Sequence, residues 1–397
     1  MQTEAEYIEE RRRHAESLSH LFLKMQKYPL EPQKIAVAAF EGEGRYGCNP
    51  RYIVEELHRR NPDLYFVWLM HDTDHEFPDW IEKVEDTPEN TAYHLSTATV
   101  WIDNYRKPWG TMKRPGQLYI QTWHGTLGIK AVGNFRGDRL PKIARIVSEA
   151  DSKLIDYVIV NSAHRIKLIP DLLFYDGSVL RLGTPRNDIV VSQREKFHNI
   201  IHKRYEIDPE TKIILFAPTF RGGNQQTKKQ VTKDYPKLNF KRLTTELSAS
   251  MGGKWQVMLR LHPQVSAKMQ AMTEVQSGIV DASQADDISE LIAGADALLT
   301  DYSSCAFDAA YAYMPVFLYA DDVAEYVANR GKFMWQHGEL PFSISQTESQ
   351  LWESIHTFDE NVYKECLQAF FNRIDLLEDG HASARVANLI LEFLNVT

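Results

Sequence analysis

Short apolar runs alternate with helical stretches along most of this 397-residue chain. That alternation restricts it to parallel sheets wrapped by helices, because strands that run the same way need a long crossover between them. Strand-like runs are read at 35–40, 64–69, 99–103, 118–122, 157–160 and 179–182. After Gly183-Thr184-Pro185-Arg186-Asn187-Asp188 the pattern restarts, with runs at 213–217, 255–261, 297–299 and 316–319. The reading is α/β: two Rossmann-like domains, 1–195 and 196–397, meeting near 185–205, with parallel sheets that face a central cleft. A hydrophobic content of 43% is enough to fill two such cores. Ahead of the first strand, 3–27 reads as a helix with Leu18, Leu21, Phe22 and Met25 on one packing face.

In open parallel sheets ligands bind beyond the carboxyl ends of the strands, so the residues at strand exits carry the functional reading. Gln121-Thr122-Trp123-His124-Gly125-Thr126 leaves a strand and places an imidazole at the start of a loop. An imidazole is suited to accept or give a proton near neutral pH. Gly125 permits close backbone approach and Thr126 is a candidate cap. Arg260-Leu261-His262-Pro263 repeats the arrangement in the second half. Ala217-Pro218-Thr219-Phe220-Arg221-Gly222-Gly223 ends another strand with a hydroxyl and a guanidinium, whose planar fork matches phosphate oxygens. Asp301-Tyr302-Ser303-Ser304 sits before a helical stretch at 306–313, where hydroxyls and amides are placed to meet an anion. Ser303 is a poor hydrolase nucleophile, since the G-x-S-x-G elbow is missing. Residues 42–47 match G-x-G-x-x-G, but Glu43 and Arg45 make an awkward pyrophosphate cradle. A flexible cleft loop is the better reading, with Asn49-Pro50 beginning the next helix.

Net charge is −9, which argues against general nucleic-acid binding. Locally the balance reverses. Lys130, Arg136, Arg139, Lys142, Arg145, Lys153, Arg165 and Lys167 face only Asp138, Glu149, Asp151 and Asp156 over the same stretch. Arg221, Lys228, Lys229, Lys233, Lys237, Lys241 and Arg242 stand against Asp234 alone. Such stretches are either solvated faces or attractors of a polyanionic acceptor or an anionic membrane. No run approaches the roughly 18 apolar residues of a membrane span, and the charged start lacks the apolar core of a signal peptide. Cys48, Cys305 and Cys366 are scattered without metal-ligand spacing. These features point to the cytoplasm, with peripheral attachment to the inner face of the membrane and no nucleic-acid partner.

Taken together, the segments resemble the CDP-glycerol glycerophosphotransferase family, the teichoic acid and capsule polyol-phosphate transferases. The resemblance runs from about Lys34 to Phe333. It is carried by Trp123-His124-Gly125-Thr126, Gly183 to Asp188, Ala217 to Arg221, Arg260 to Pro263 and Thr300 to Ser304, in the family's order. It implies a GT-B-like fold with an acceptor-side first domain and a second domain that holds a CDP-polyol, either CDP-glycerol or CDP-ribitol. On that resemblance His124 would deprotonate the acceptor hydroxyl, with Gly125 and Thr126 beside the substrate. His262 would contact the donor diphosphate and help CMP leave. Arg221, Ser303 and Ser304 would hold the phosphates, with Thr219, Arg260 and Asp301 shaping the pocket. No cofactor is called for, and no residue pattern indicates a divalent metal. The acceptor would be a lipid-linked or polysaccharide hydroxyl. The alternatives are a GT-B glycosyltransferase using a nucleotide sugar and a non-catalytic binder of anionic glycopolymer. Leu127-Gly128 replaces the proline usual after the Trp-His-Gly-Thr run, and Phe220 stands where tryptophan is common. With no long N-terminal extension before these motifs, single addition or short-chain synthesis is expected rather than long-chain synthesis.

Overall fold

The computed structural model describes residues 2–125, 127–219, 238–261, 278–330, 332–335 and 338–396, with the side chains of Asn329 and Arg330 excepted. Two compact units emerge. The first comprises Met1–Thr126, Val132–Asp188 and Asp375–Thr397; the second comprises Leu127–Ala131 and Ile189–Ile374.

In the first unit the strands are β1 (Glu31–Ala38), β2 (Tyr65–Met70), β3 (Ile81–Glu85), β4 (Ala98–Asp103), β5 (Leu118–Gln121), β6 (Tyr157–Val160) and β7 (Ser178–Arg181). They form one seven-stranded sheet in the order β3-β2-β1-β4-β5-β6-β7, and each neighbouring pair is parallel. In the second unit β8 (Thr211–Phe216), β9 (Lys254–Leu259), β10 (Ile279–Asp281), β11 (Ala297–Thr300), β12 (Val316–Tyr319) and β13 (Ile344–Ser345) make a parallel sheet ordered β10-β9-β8-β11-β12-β13. Both orders reverse direction once, between β1 and β4 and between β8 and β11. This is the doubly wound Rossmann arrangement, and the crevice at each reversal is where such folds place ligands.

The central strands are apolar on both faces because helices cover both faces. Ile35, Val37, Phe66, Trp68, Val100, Ile102 and Ile120 pack in one core with Ile53, Val54 and Leu57 of the helix Cys48–Arg60. Ile214, Phe216, Val257, Leu259, Leu299 and Phe317 form the other with Leu243, Leu247, Leu351 and Ile355. The strands that the apolar pattern does not disclose are β3, β10 and β13. Each lies at a sheet edge, and each is short or charged: β3 reads Ile-Glu-Lys-Val-Glu, with only Ile81 and Val84 buried.

The expected N-terminal helix is Glu4–Met25, set by a capping box between Thr3 and Glu6. The helix expected over 306–313 is shorter, Cys305–Ala310. The chain turns at the start of residues 42–47. Gly42 N and Gly44 N both donate to Ala39 O, and Gly42 O accepts from His71 N. Its φ of 80° suits glycine, and a Cβ there would meet His71 at 2.9 Å. The following helix is capped by Gly47 and starts at Cys48, so Asn49 and Pro50 lie inside its first turn.

The division at 195/196 needs correction at both ends. The first unit continues to Asp188, and the chain returns to it at Asp375. Two interactions draw it back. Leu377 N donates to Asn161 O, beside a bridge between Ser162 and Leu376. The helix Ala382–Leu394 then buries Val386, Ala387, Ile390 and Leu391 in the first core, and the Asp188 carboxylate accepts from Ala382 N and Ser383 N at 2.8 and 2.7 Å. A carboxylate on the amides of a helix start is a favourable cap. Among the described residues no helix is long and apolar enough to cross a membrane.

Ile390 is fully buried, so Ile390→Ala should cost about 2–5 kcal/mol in urea unfolding. Hydrogen exchange should locate the lost protection in β1 and β2 and leave β8 and β9 unaffected. Loss confined to β8 and β9 would return this helix to the second unit.

Candidate functional site

Each reversal point is tied across by a side chain in the same way. In the first unit Phe40 follows β1 and Asn104 follows β4, and Phe40 N donates to Asn104 Oδ1 at 2.8 Å. In the second, Thr219 follows β8 and Asp301 follows β11. Thr219 N donates to both Asp301 carboxylate oxygens at 2.9 and 3.0 Å, and Thr219 Oγ1 donates to Oδ1 as well. Two adjacent parallel strands whose chains leave in opposite directions would otherwise splay and leave these amides unbonded. The tie holds the mouth of each crevice at a fixed width.

His124 sits beside the first tie. Its Nδ1 lies 2.9 Å from Asn104 O. A carbonyl only accepts, so Nδ1 carries the proton and the neutral ring keeps its lone pair on Nε2. The imidazole lies against Trp123, Tyr105 and Phe40, with ring centroids 4.4, 5.6 and 5.2 Å away. The backbone after it is held by two buried guanidiniums: Arg186 Nη1 donates to His124 O at 2.6 Å and Arg165 Nη2 to Gly125 O at 3.1 Å. Asn49 Nδ2 donates to Trp123 O at 2.9 Å, and Asn49 Oδ1 accepts from Arg186 N. The motif from Gly183 to Asp188 thus contributes to this half-site through Arg186. Phe40 and Glu41 take φ of 52° and 57°, and Trp123 takes φ of 51°. A bulky residue in the left-handed region is strained and persists only where its surroundings hold it.

In the second unit Asp301 is nearly fully buried and also accepts from Tyr302 N. Tyr302 anchors the loop from below: its hydroxyl donates to Asp322 at 2.8 Å and its ring stacks on Tyr326 at 4.0 Å. Ser303 and Ser304 are half-buried at the loop's crest, and the Ser304 hydroxyl makes no cap bond to the helix after it. Arg260 Nη1 donates to Leu261 O and Ser283 O at 2.8 and 2.6 Å, so its described hydrogen bonds go to backbone. The expected residues Thr126, Arg221 and His262 lie outside the described residues. Phe40, Asn104, Tyr105 and Asp322 were not expected, whereas Asn49, Gln121 and Arg186 lie in motifs the sequence singles out without a role of their own. For Asn104 a signal was there to read: Asp103-Asn104 at the end of one strand parallels Thr300-Asp301 at the end of another.

A buried polar network lies beneath the His124 loop. Lys107 Nζ and Asp103 Oδ2 pair at 2.8 Å with both side chains 3% exposed. Asp151 Oδ1 accepts from Tyr119 OH and Lys107 N, each at 3.1 Å. Burial pushes the Asp103 carboxyl up, opposed by Lys107. Burial pushes Asp151 up to about 7, with the Lys107 amide opposing and the Asp103 charge adding. Folded, Asp151 keeps its proton to about 7, whereas unfolded it releases it near 3.8. The folded state binds the extra proton between those values, so this group's contribution to stability falls as pH climbs through that window. Asp151→Asn cannot ionise. Its melting temperature relative to wild type should therefore rise between about pH 5 and about pH 8 in thermal melts. A difference that stays constant with pH would remove Asp151 as the titrating group.

The CDP-Glycerol:Poly(glycerophosphate) glycerophosphotransferase family matches residues 20–392. Teichoic acid poly(glycerol phosphate) polymerase of Staphylococcus epidermidis is 28% identical over 374 residues, 91% of this chain and 51% of that protein. The chain therefore spans about half the length of that relative. Teichoic acid ribitol-phosphate primase of Bacillus spizizenii is 26% identical over 387 residues, 92% of both chains. Among solved structures, a variant of the wall teichoic acid polymerase TagF soaked with CDPG matches at a TM-score of 0.81 and 26% identity, covering 96% of this chain and 94% of that one. With the match extending over both Rossmann-like units and both tied strand exits, this chain belongs to the CDP-glycerol:poly(glycerophosphate) glycerophosphotransferase family.

Proposed function

We propose that this protein transfers a polyol phosphate from a CDP-polyol to an acceptor hydroxyl and releases CMP. The observation that carries the reading is the His124 ring, with Nδ1–H bonded to Asn104 O so that Nε2 is the basic atom at a Rossmann reversal point. The relatives support the substrate class, since one is a poly(glycerol phosphate) polymerase and another a ribitol-phosphate primase.

In the proposed step the acceptor oxygen attacks the polyol-bearing phosphorus as its proton passes to His124 Nε2. The bond from that phosphorus to the oxygen bridging to CMP breaks, and CMP leaves with the electron pair. Phosphoryl transfer of this kind depends on in-line placement and on neutralising phosphate charge. On the family resemblance, the Ser303 and Ser304 hydroxyls, the loop held by Thr219 and Asp301, and Arg221 would neutralise the donor phosphates. His262 would assist the departing CMP, and Arg260 would brace the β9 exit. Gly125 and Thr126 would border the acceptor.

A lipid-linked or polymeric acceptor fits the basic stretch of the first unit. Lys142 and Arg145 are 75% and 47% exposed there and pair with Glu4 and Glu149, and Phe135 and Ile166 are exposed apolar side chains of the same stretch of chain. Cations interspersed with apolar side chains suit peripheral attachment to an anionic membrane.

Incubation with CDP-glycerol and CDP-ribitol in parallel, with and without acceptor, should release CMP from one of them in an acceptor-dependent way. Release of a nucleoside diphosphate from a nucleotide sugar instead would replace this reading with glycosyl transfer. His124→Ala should lower turnover by roughly 10²–10⁴-fold while leaving donor affinity within about twofold. Wild-type turnover in that variant would remove the base assignment.

A further inference from the structure

We infer that Gln121 is a positioning residue that sets the orientation of the His124 ring. The inference rests on the reading of His124 as the base. Gln121 is the last residue of β5, is 1% exposed, and uses both ends of its amide. Oε1 accepts from Trp123 N at 2.8 Å. Nε2 donates to Tyr105 O at 2.6 Å and to Tyr119 OH at 2.9 Å. One side chain therefore links the β5 exit, which carries His124, to the β4 exit, which carries the carbonyl that holds the His124 Nδ1 proton.

Gln121 also accounts for the strained residue between them. Trp123 is left-handed, and in that conformation its N–H turns back toward the end of its own strand. Without an acceptor there, a buried amide would go unbonded, which costs more than the conformational relaxation that restores it a partner. The Arg106 guanidinium over the Trp123 ring at 4.8 Å and Asn49 on Trp123 O hold the same residue from other sides. Of these contacts, Gln121 alone joins Trp123 to the Tyr105 backbone, one residue from Asn104. Thr122 N and Oγ1 also bond Asp103 O across these exits. The loss of Gln121 would therefore leave the exits joined while removing the partner of Trp123 N and of Tyr105 O and breaking the register between the ring and Asn104 O.

The test uses the whole chain labelled with 15N-histidine. The His124 Nδ1 proton should give a slowly exchanging low-field signal, assigned by its absence in His124→Ala. Gln121→Met preserves side-chain volume and removes both polar ends. It should lose that signal and lower CMP release from the active CDP-polyol by roughly 10–100-fold, with the donor KM within about twofold. An unchanged signal and rate in Gln121→Met overturns the inference. Gln121→Glu keeps the acceptor for Trp123 N but sets a carboxylate oxygen against Tyr105 O, so it should also lose the signal. A retained signal and rate in a folded glutamate variant overturns the inference, and this variant decides the matter if the methionine variant does not fold. Tyr119→Phe removes the hydroxyl that joins Gln121 to Asp151 and leaves the Trp123 and Tyr105 bonds intact. It should lower melting temperature while retaining the signal. Equal loss of signal and rate in Tyr119→Phe and Gln121→Met would show general loosening and also overturn the assignment. Should His124→Ala turn over normally, the base reading fails, yet the Nδ1 signal still reports whether Gln121 sets the ring.

Discussion

The hydrogen bond thrown across each strand-order reversal is the constraint on which both half-sites depend. A doubly wound sheet opens a crevice where neighbouring strands send their chains to opposite faces, and nothing in sheet pairing holds that crevice to a given width. Here Asn104 Oδ1 binds Phe40 N in one unit and the Asp301 carboxylate binds Thr219 N in the other. The choice of side chain differs with the duty at each place. Neutral Asn104 closes the crevice without adding charge beside the imidazole. Charged Asp301 makes a stronger tie, accepting from Thr219 and Tyr302 together and so spending its charge on backbone amides.

Beneath the first tie, the structure accepts a costly arrangement. An ion pair between Asp103 and Lys107, a second buried carboxyl at Asp151 and the hydroxyl of Tyr119 replace what could have been an apolar core. Buried ion pairs seldom add net stability, but they confine a loop to one geometry when every member is bonded. The loop so confined runs from Asp103 to Lys107 and presents Asn104 O. The imidazole orientation is therefore set by groups buried behind the strand exits, in the manner of the outer partners that orient metal-binding histidines.

Much of the fold was legible because β1, β2, β4, β5, β8, β9 and β11 are buried on both faces over most of their length and are largely apolar there. Three of the edge strands were not, since β3 buries only Ile81 and Val84 among Glu82, Lys83 and Glu85, β10 has three residues and β13 has only two. The return of the last helix to the first core left no trace in the alternation of strands and helices. Its apolar stripe of Val386, Ile390 and Leu391 would suit either core, and the choice rests on the Asp188 cap and the Leu377 bond to Asn161.

By itself the sequence determined the doubly wound class, the two-part organisation and the placing of His124, Thr219, Asp301, Ser303 and Ser304 at strand exits. Those features follow from period and order along the chain, which local residue chemistry writes directly. Tertiary structure alone decided that Asn104 holds the imidazole, that Gln121 and Arg186 brace the loop around it, and that Asp188 caps a helix 194 residues further on. Such partners are chosen by strand order, which brings distant exits side by side, and no spacing in the linear chain encodes which exits those will be.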